Sequence, residues 1–357
     1  MRTKILTSAM GCAAIGLVFV MAAGAAAKRT PSAFSRHVAS IQHAGTIAFL
    51  RAPAGGAGPF GTGQSLYVIH ADGSGLLRVT PQGTDVTAYA WSPDGSLIAY
   101  IDTEHSLWLI RPDGTGLRLL LPSSKLSTWD LSWSPDGKRL AVASAGPSPY
   151  RCARISIVPI NGAPPAALPS GGACGGVAWA PRGDEIAYDR SGISVIRPDG
   201  SGRRQVGPGG GPRWSADGKQ LAFVVAVRLR NGNIDRYNAF AVVNADGKHF
   251  HVVTTHAYNE YGVAWSPRGR RILYGRAHRK GIYVVGSDGR NNHRVTSDSP
   301  PQALWGALGW SPDGHSIVYT AGDPSNTDLY VIGVDGLGKH RLTNSADNDI
   351  DPSWVAH

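Results

Sequence analysis

Tryptophan recurs along this chain with a spacing that few folds accommodate. Beyond residue 45, seven of the ten tryptophans recur at intervals of 42, 46, 35, 51, 45 and 44 residues. A period of this length indicates a propeller or a solenoid, in which every repeat is one supersecondary unit. The seven repeat positions are Trp91, Trp133, Trp179, Trp214, Trp265, Trp310 and Trp354.

A tight turn follows each of the first six tryptophans. Its sequence is Ser-Pro-Asp-Gly at 92–95, 134–137 and 311–314, and variants of it occupy 180–183, 215–218 and 266–269. Proline presets the first φ angle of such a turn and glycine accepts the left-handed position, so the chain reverses between two strands. The apolar, β-branched residues after the turn predict a buried strand. Each repeat therefore opens with a hairpin.

A second hairpin is predicted later in each repeat, where an Asp-Gly or Asn-Gly pair follows an apolar strand. Two hairpins make a four-stranded antiparallel blade, and we expect an all-β, seven-bladed β-propeller over residues 46–357. Glycine and proline together supply 70 of 357 residues, which suits a turn-rich β protein better than a helical one. The seven turns lie at 72–73, 113–114, 161–162, 199–200, 246–247, 288–289 and 335–336.

The two ends of the repeat region complement each other. Residues 46–80 contain strands and an Asp-Gly turn but no leading tryptophan strand, whereas residues 351–354 form a leading strand with nothing after it. We therefore predict that the C-terminal strand completes the first blade and closes the ring, which removes two exposed sheet edges.

The segment 1–27 has the pattern of a secretory signal peptide. Arg2 and Lys4 precede an uncharged run that ends in small residues at 25–27, so we expect cleavage after Ala27. An uncleaved membrane anchor is the alternative, because the run is long enough to span a bilayer. Residues 28–45 are predicted to be a tether. The protein is then exported, to the periplasm, the cell envelope or the medium.

Cysteine usage agrees with export. Beyond the signal segment only Cys152 and Cys174 remain. In an oxidising compartment such a pair predicts a disulfide, here linking blades three and four, with two buried thiols as the alternative.

The repeat resembles a known family. The Trp-Ser-Pro-Asp-Gly turn, the apolar strand after it, and the Asp-Gly turn leading to Arg-Val-Thr or Arg-Leu-Thr (78–80, 294–296, 341–343) resemble the WD-like repeats of TolB-like propellers over residues 46–355. TolB itself is a periplasmic protein-binding component with a smaller N-terminal α/β domain, for which residues 28–45 are too short, so we do not expect its usual partners. Peptidases that carry similar propellers need a Gly-x-Ser-x-Gly elbow, which is missing, so peptidase activity is not expected.

Strand direction predicts two unlike rims. The tight turns should share one rim, and the longer connections after the second strand, such as 51–64, 144–153, 227–238 and 321–327, should share the other. Binding usually resides on variable loops of a rigid scaffold. Residues 197–294 hold 17 basic and 6 acidic residues, and we predict a basic arc on the variable rim that attracts acidic proteins or anionic polymers. General solubility is the alternative explanation. The arc residues are Arg228, Arg230, Arg236, Arg276, Arg279 and Lys280.

Catalytic and metal motifs are weak. His105, His256 and His278 are predicted on the variable rim but lack paired spacing, so they are weak metal candidates and no cofactor is expected. Asp347, Asp349 and Asp351 alternate in a way that suggests either calcium ligands or a strand entering the sheet.

Two functions remain open from the sequence. The first is an exported, non-enzymatic propeller, expected to be monomeric, that binds a protein or an anionic cell-envelope polymer through its variable rim. The second is a propeller enzyme, a metal-assisted lyase or hydrolase with a site over the central channel. Nucleic acid is not an expected partner of an exported protein, and membrane contact is expected only if the signal segment stays uncut.

Overall fold

A computed structural model describes residues 45–54, 63–123, 127–145, 154–169, 176–228, 234–254, 260–276, 281–298, 308–323 and 326–355. Residues 1–44 lie outside this set, so the signal peptide and most of the tether remain predictions. The described residues form 28 strands in seven four-stranded antiparallel sheets. They contain no helix with the length and hydropathy needed to cross a bilayer.

The four strands of each blade follow the predicted order from the axis outward. The inner strands are β4 (Val86–Trp91), β8 (Ser127–Trp133), β12 (Val177–Trp179), β16 (Gly210–Trp214), β20 (Glu260–Trp265), β24 (Gly309–Trp310) and β28 (Asn348–Val355). The second strands are β1 (Thr46–Ala52), β5 (Ile98–Asp102), β9 (Arg139–Ala145), β13 (Ile186–Asp189), β17 (Gln220–Arg228), β21 (Arg271–Arg276) and β25 (Ser316–Asp323).

The outer half of each blade is the second predicted hairpin. The third strands are β2 (Ser65–His70), β6 (Leu107–Ile110), β10 (Arg154–Pro159), β14 (Ile193–Ile196), β18 (Ile234–Asn244), β22 (Gly281–Gly286) and β26 (Asn326–Gly333). The outermost strands are β3 (Leu77–Arg78), β7 (Arg118–Leu121), β11 (Ala166–Ala167), β15 (Arg204–Gly207), β19 (His251–Val252), β23 (His293–Thr296) and β27 (His340–Arg341).

The C-terminal strand closes the ring as predicted. Blade 1 has the order β28-β1-β2-β3, so its inner strand comes from the end of the chain and the other three from the beginning. The β28–β1 register pairs Thr46 with Val355 and Ala52 with Asn348. Blades 2 to 7 then follow along the chain, each built from four consecutive strands.

The hydrophobic core lies between neighbouring blades. One cluster joins Ile101 and Leu107 of blade 2 to Leu140 and Val142 of blade 3, and another joins Phe49 of blade 1 to blade 7. Along the second strand of blade 2, residues 98–101 are all at most 1% exposed. Because alternate residues of a strand point to opposite faces, both faces of that sheet are buried. Each blade thus depends on its two neighbours for stability.

The repeated tryptophans join neighbouring inner strands by hydrogen bonds. The indole Nε1 of Trp133 donates to the carbonyl oxygen of Ala90 at 3.0 Å, and Ala90 is the residue before the tryptophan of the preceding blade. The same bond runs from Trp214 to Ala178 at 3.0 Å and from Trp265 to Arg213 at 2.9 Å. Trp310 and Trp91 repeat it with Ala264 and Ser353. These indoles therefore link one blade to the next around the axis.

Trp179 departs from this pattern and provides a matched comparison. Its indole Nε1 is buried without a hydrogen-bond partner. We expect Trp133→Phe to lower the free energy of unfolding by about 1 kcal/mol more than Trp179→Phe, since only the first change breaks a hydrogen bond and leaves a carbonyl without its donor. Urea unfolding of both variants measures the difference. Equal losses would mean that the indole contributes by ring volume alone.

The Ser-Pro-Asp-Gly segments are structural turns. In blade 2 the hydroxyl of Ser92 donates to Asp94 Oδ1 at 2.6 Å and accepts a bond from the Leu97 amide at 2.9 Å. The hydrogen bond from Ser92 is the main cause that lowers the pKa of Asp94. Where Arg268 replaces the aspartate, Ser266 still accepts a bond from the amide of Arg271. The aspartate of this motif supports the turn in the repeats that contain it.

The Arg-Val-Thr and Arg-Leu-Thr motifs also have a structural role. The Oγ1 of Thr80 accepts a hydrogen bond from the amide of Leu66 in the third strand of the same blade, and Thr343 makes the equivalent bond to Leu329. The guanidinium of Arg78 donates to the carbonyl of Thr80 at 3.1 Å. The motif therefore attaches the outermost strand and its exit to the blade.

Candidate binding surface at the loop rim

The two rims of the propeller carry connections of different character. The turn rim carries the connections between first and second strands and between third and fourth strands, which are all short: the shortest include 134–138 and the longest include 111–117. The loop rim carries the connections between second and third strands and between blades, whose length varies from 324–325 to 53–64. Since only the loop rim varies widely, it is where the repeat leaves room for a distinct binding surface.

Two of the predicted loops are shorter than expected. In blade 5 the strands β17 and β18 extend through Arg228 and from Ile234, so Arg228 and Arg236 lie in strands rather than in a loop. In blade 7 only the pair 324–325 separates Asp323 from Asn326, because β25 and β26 continue their pairing to the rim. In blade 5 the β-branched residues Val227 and Ile234 favour this continued pairing.

Arg276 is the arc residue whose side chain the structure describes. It lies at the loop end of β21, as expected, but only 9% of it is exposed. Its Nη2 donates to the hydroxyl of Tyr274 at 2.8 Å, and its guanidinium lies 4.4 Å from the ring centre of Tyr283. Two tyrosines therefore hold this cation within blade 6, where it offers little surface to a ligand.

The other predicted site residues are only partly placed. Arg230, Arg279, Lys280, His256, His278, Cys152 and Cys174 lie outside the described residues, and for Arg228 and Arg236 only the backbone is described. The disulfide therefore stays a prediction. His105 lies in the connection after β5 with a left-handed φ of 65°, and its amide donates to the carbonyl of Asp102. Among the described residues, no group of three or more ligating side chains could hold a metal ion.

A buried ion pair lies where the ring closes at the loop rim. Asp349 of β28 is fully buried, and the guanidinium of Arg51 in β1 donates to both of its oxygens, at 2.7 and 2.9 Å. Arg51 also lies 4.7 Å from the ring centre of Tyr67. Burial raises the pKa of Asp349, and the bonds from Arg51 offset this only in part. Of the three alternating aspartates, Asp349 therefore stabilises the pairing of β28 with β1 that closes the ring.

The connection that leads into the closing strand is held by a second polar group. Asp328, which is 3% exposed, accepts a bond from Arg341 and another from the amide of Ser345 at 3.2 Å. Asn348 accepts the amide of Thr327 at 3.0 Å. These bonds fix the rim on the blade 7 side of the ring closure, which stabilises the geometry of the neighbouring loops.

Three charged residues near the channel were not predicted from the sequence. Asp130 of β8 accepts the amide of Val177 at 2.9 Å, and burial raises its pKa. Asp189 accepts the amide of Gly211 at 3.1 Å, while its other oxygen is buried without a partner. The exposed side chain of Arg213 points toward Gly176, beside Asp130. For Asp130 and Arg213 the available signal was a charge in an inner strand, whereas Asp189 ends the second strand β13.

A cavity of about 730 Å³ occupies the side of the channel formed by blades 5, 6, 7 and 1. Trp214, Trp265, Trp310 and Trp354 line it together with Arg213. The cavity therefore has aromatic walls and two charged residues of opposite sign, Arg213 and Asp351.

The turn rim also carries much of the positive charge. Of the 17 basic residues in 197–294, nine lie in or next to the turns of blades 4 to 6, on the turn rim. These residues occupy the short hairpins, such as Lys219 after Gly218 and Lys248 after Gly247. The described basic residues of 197–294 thus lie mainly on the rim opposite to the variable loops.

This geometry defines a closed ring scaffold with one constant rim and one variable rim. The sequence matches the TolB beta propeller domain family (PD40) over residues 47–308, and the chain belongs to that family. By sequence, no curated protein matches the chain.

Solved structures share the fold. TolB from Acinetobacter baumannii is 15% identical, with a TM-score of 0.58 over 88% of this chain and 67% of that one. Oligogalacturonate lyase from Vibrio parahaemolyticus is 11% identical, with a TM-score of 0.64 over 80% and 90%. An oligogalacturonate lyase in complex with manganese is 13% identical, with a TM-score of 0.60 over 75% and 82%. At these identities the likeness shows the fold alone.

Proposed function

We propose that this protein is an exported, non-enzymatic scaffold that binds a protein partner through its loop rim. The observation that carries the proposal is the contrast between the rims. The connections on the turn rim differ little in length: the shortest are as long as 134–138 and the longest as long as 111–117. On the loop rim the shortest are as short as 324–325 and the longest as long as 53–64. A rigid ring that varies its connections mainly on one side is suited to present those connections to a partner.

The stiffness of the ring supports this function. Neighbouring blades share buried cores, and their inner strands are linked by indole hydrogen bonds. The closure is held by the Arg51–Asp349 pair. A preorganised surface loses less conformational entropy on binding than a mobile one, which favours affinity.

Membership of the TolB beta propeller domain family and the leader-like residues 1–27 support an envelope location. The basic residues predicted for the loop rim favour a partner with an acidic surface. An anionic cell-envelope polymer is the other partner class that such residues would attract.

A pull-down from envelope extracts at low and high salt tests the proposal. The test variant is Arg228→Ala/Arg230→Ala/Arg236→Ala, and the matched control is Arg203→Ala/Arg270→Ala/Arg290→Ala, which removes the same charge from the turn rim. We expect the first variant to lose a salt-sensitive protein partner at least tenfold and the control to retain it. A variant that kept every salt-sensitive partner would disprove binding through these arginines.

The likeness to oligogalacturonate lyases over 75–80% of the chain favours one alternative, a metal-assisted lyase or hydrolase acting over the channel. Metal analysis of the purified protein, together with an assay for cleavage of oligogalacturonate with and without manganese, decides between the two. Stoichiometric metal with turnover would favour the enzyme.

A further inference from the structure

The turn rim of blades 4 to 6 is strongly positive. Its hairpins carry ten basic and six acidic residues, an excess of four positive charges, whereas the same rim of blades 2 and 3 has an excess of one. Eight of the ten basic side chains are exposed. Blade 4 contributes Arg182, Arg197 and Arg203, blade 5 contributes Lys219 and Lys248, and blade 6 contributes Arg268, Arg270 and Arg290.

The carboxylates on this rim are mostly used inside their own blades. Glu185 accepts two bonds from Arg204, at 2.8 and 2.9 Å. Asp217 and Asp199 accept amide bonds within their turns, at 3.1 and 2.8 Å. The pairs Lys248–Asp246 and Arg290–Asp288 are long, at 3.9 and 4.0 Å, and their cations are 77% and 84% exposed. The exposed cations therefore remain available to an external anion.

The basic residues of the three blades lie on one continuous surface. Gly218 in the turn of blade 5 packs so closely on blade 4 that a Cβ there would lie 2.8 Å from the carbonyl oxygen of Arg182. Gly269 in the turn of blade 6 also contacts the turn of blade 5, less closely: a Cβ there would lie 3.7 Å from the amide nitrogen of Ala216 and 3.8 Å from Cβ of Ser215. Because the turns are similar in length and in contact, an extended flat surface can touch all three blades at once.

The same surface contains an exposed aromatic side chain. Phe250 lies between the turn of blade 5 and β19, is 44% exposed, and rests against Phe223 with ring centres 6.1 Å apart. Val252 beside it is 39% exposed. Basic residues around an exposed aromatic ring are typical of proteins that lie on an anionic membrane, where headgroup phosphates border an apolar layer.

We propose that the turn rim of blades 4 to 6 is a membrane-facing surface that binds anionic phospholipid headgroups. Six of its eight exposed cations are arginines, whose planar guanidinium can donate two bonds to one phosphate. These cations are spread over three adjacent blades, which suits an extended bilayer surface better than a single polymer strand. The loop rim would then face away from the membrane, toward its partner. This inference is independent of the proposed loop-rim function.

The test uses purified protein with vesicles of phosphatidylcholine, alone or mixed with phosphatidylglycerol. The variant is Arg203→Gln/Arg270→Gln/Arg290→Gln, and the control is Arg111→Gln/Arg118→Gln/Lys138→Gln, which removes three charges from the same rim of blades 2 and 3. The wild type, the variant and the control have the same N-terminal sequence, so any contribution of that sequence to vesicle binding is equal in all three. We expect the variant to bind phosphatidylglycerol vesicles at least tenfold more weakly, and the control less than twofold.

Each outcome decides the inference. Binding to phosphatidylglycerol vesicles that weakens as salt rises and is lost only in the blade 4 to 6 variant supports it. Equal loss in the control would show a general charge effect and overturn it, as would wild-type binding no stronger than to phosphatidylcholine alone. Retention of vesicle binding by the variant, with loss of an acidic protein partner instead, would also overturn it. Thermal melting of both variants verifies that they are folded.

Discussion

Removal of the closing strand, residues 348–355, will abolish the cooperative thermal unfolding of this protein. The deletion leaves β1 without its inner partner and exposes the flanks of blades 1, 2 and 7. Four buried side chains lose their environment or disappear: Ile47, Leu50, Ile350 and Val355. At roughly 1.5 to 3 kcal/mol each, they account for about 6 to 12 kcal/mol, which is comparable to the whole stability of a typical domain.

Circular dichroism melting and limited proteolysis measure this effect. The matched control removes only residues 356–357, which follow the closing strand, and should melt at the temperature of the full chain. If the protein without residues 348–355 melted cooperatively at an unchanged temperature, closure by the C-terminal strand would not be what stabilises the ring.

Replacement of Arg51 by methionine will cost about 3–5 kcal/mol of unfolding free energy, because it leaves Asp349 buried without its cation. The double variant Arg51→Met/Asp349→Leu should recover much of this loss, since it removes both charges. In the single variant the pKa of Asp349 is raised further above its unfolded value. Between the pKa of Asp349 in the unfolded state and its higher pKa in the folded variant, the folded state holds a proton that the unfolded state has lost. The loss of unfolding free energy relative to the wild type therefore grows as pH rises through this interval and shrinks in acid.

Urea unfolding of the wild type, of Arg51→Met, of Asp349→Leu and of the double variant gives a double-mutant cycle for this ion pair. An exposed pair serves as the control: Arg139 and Asp184 are 3.4 Å apart with side chains 35% and 58% exposed. Its removal should cost less than about 1 kcal/mol. A loss for Arg51→Met as small as that of the control would show that the buried pair contributes little to closure.

The blades could be predicted from the sequence because their signals are local. Each hairpin depends on a few neighbouring residues, such as Ser92, Asp94 and Leu97, whose mutual hydrogen bonds form within one turn. The closure was also predictable, because residues 46–80 lack a leading strand and the last strand lacks a blade. Neither inference needed knowledge of how the blades pack.

The position of the positive charge could not be predicted in this way. Arg276 follows an apolar strand and is near a predicted loop, yet Tyr274 and Tyr283 hold it inside blade 6. Arg228 and Arg236 lie in strands because β17 and β18 continue to pair beyond the blade. Strand length depends on pairing with a distant partner, and this pairing decides whether a residue at the loop rim lies in a strand or in a loop.

The partners of buried charged residues could not be predicted from the sequence either. Asp130 meets Val177 of the next blade, and Arg51 meets Asp349 at the opposite end of the chain. The linear sequence alone determined the number of blades, their strand order and the closure, since repeated short-range turns encode them. Only the tertiary structure decided which charges are buried, which rim is positive and which indoles join the blades, because those properties arise between residues that curvature of the ring brings together.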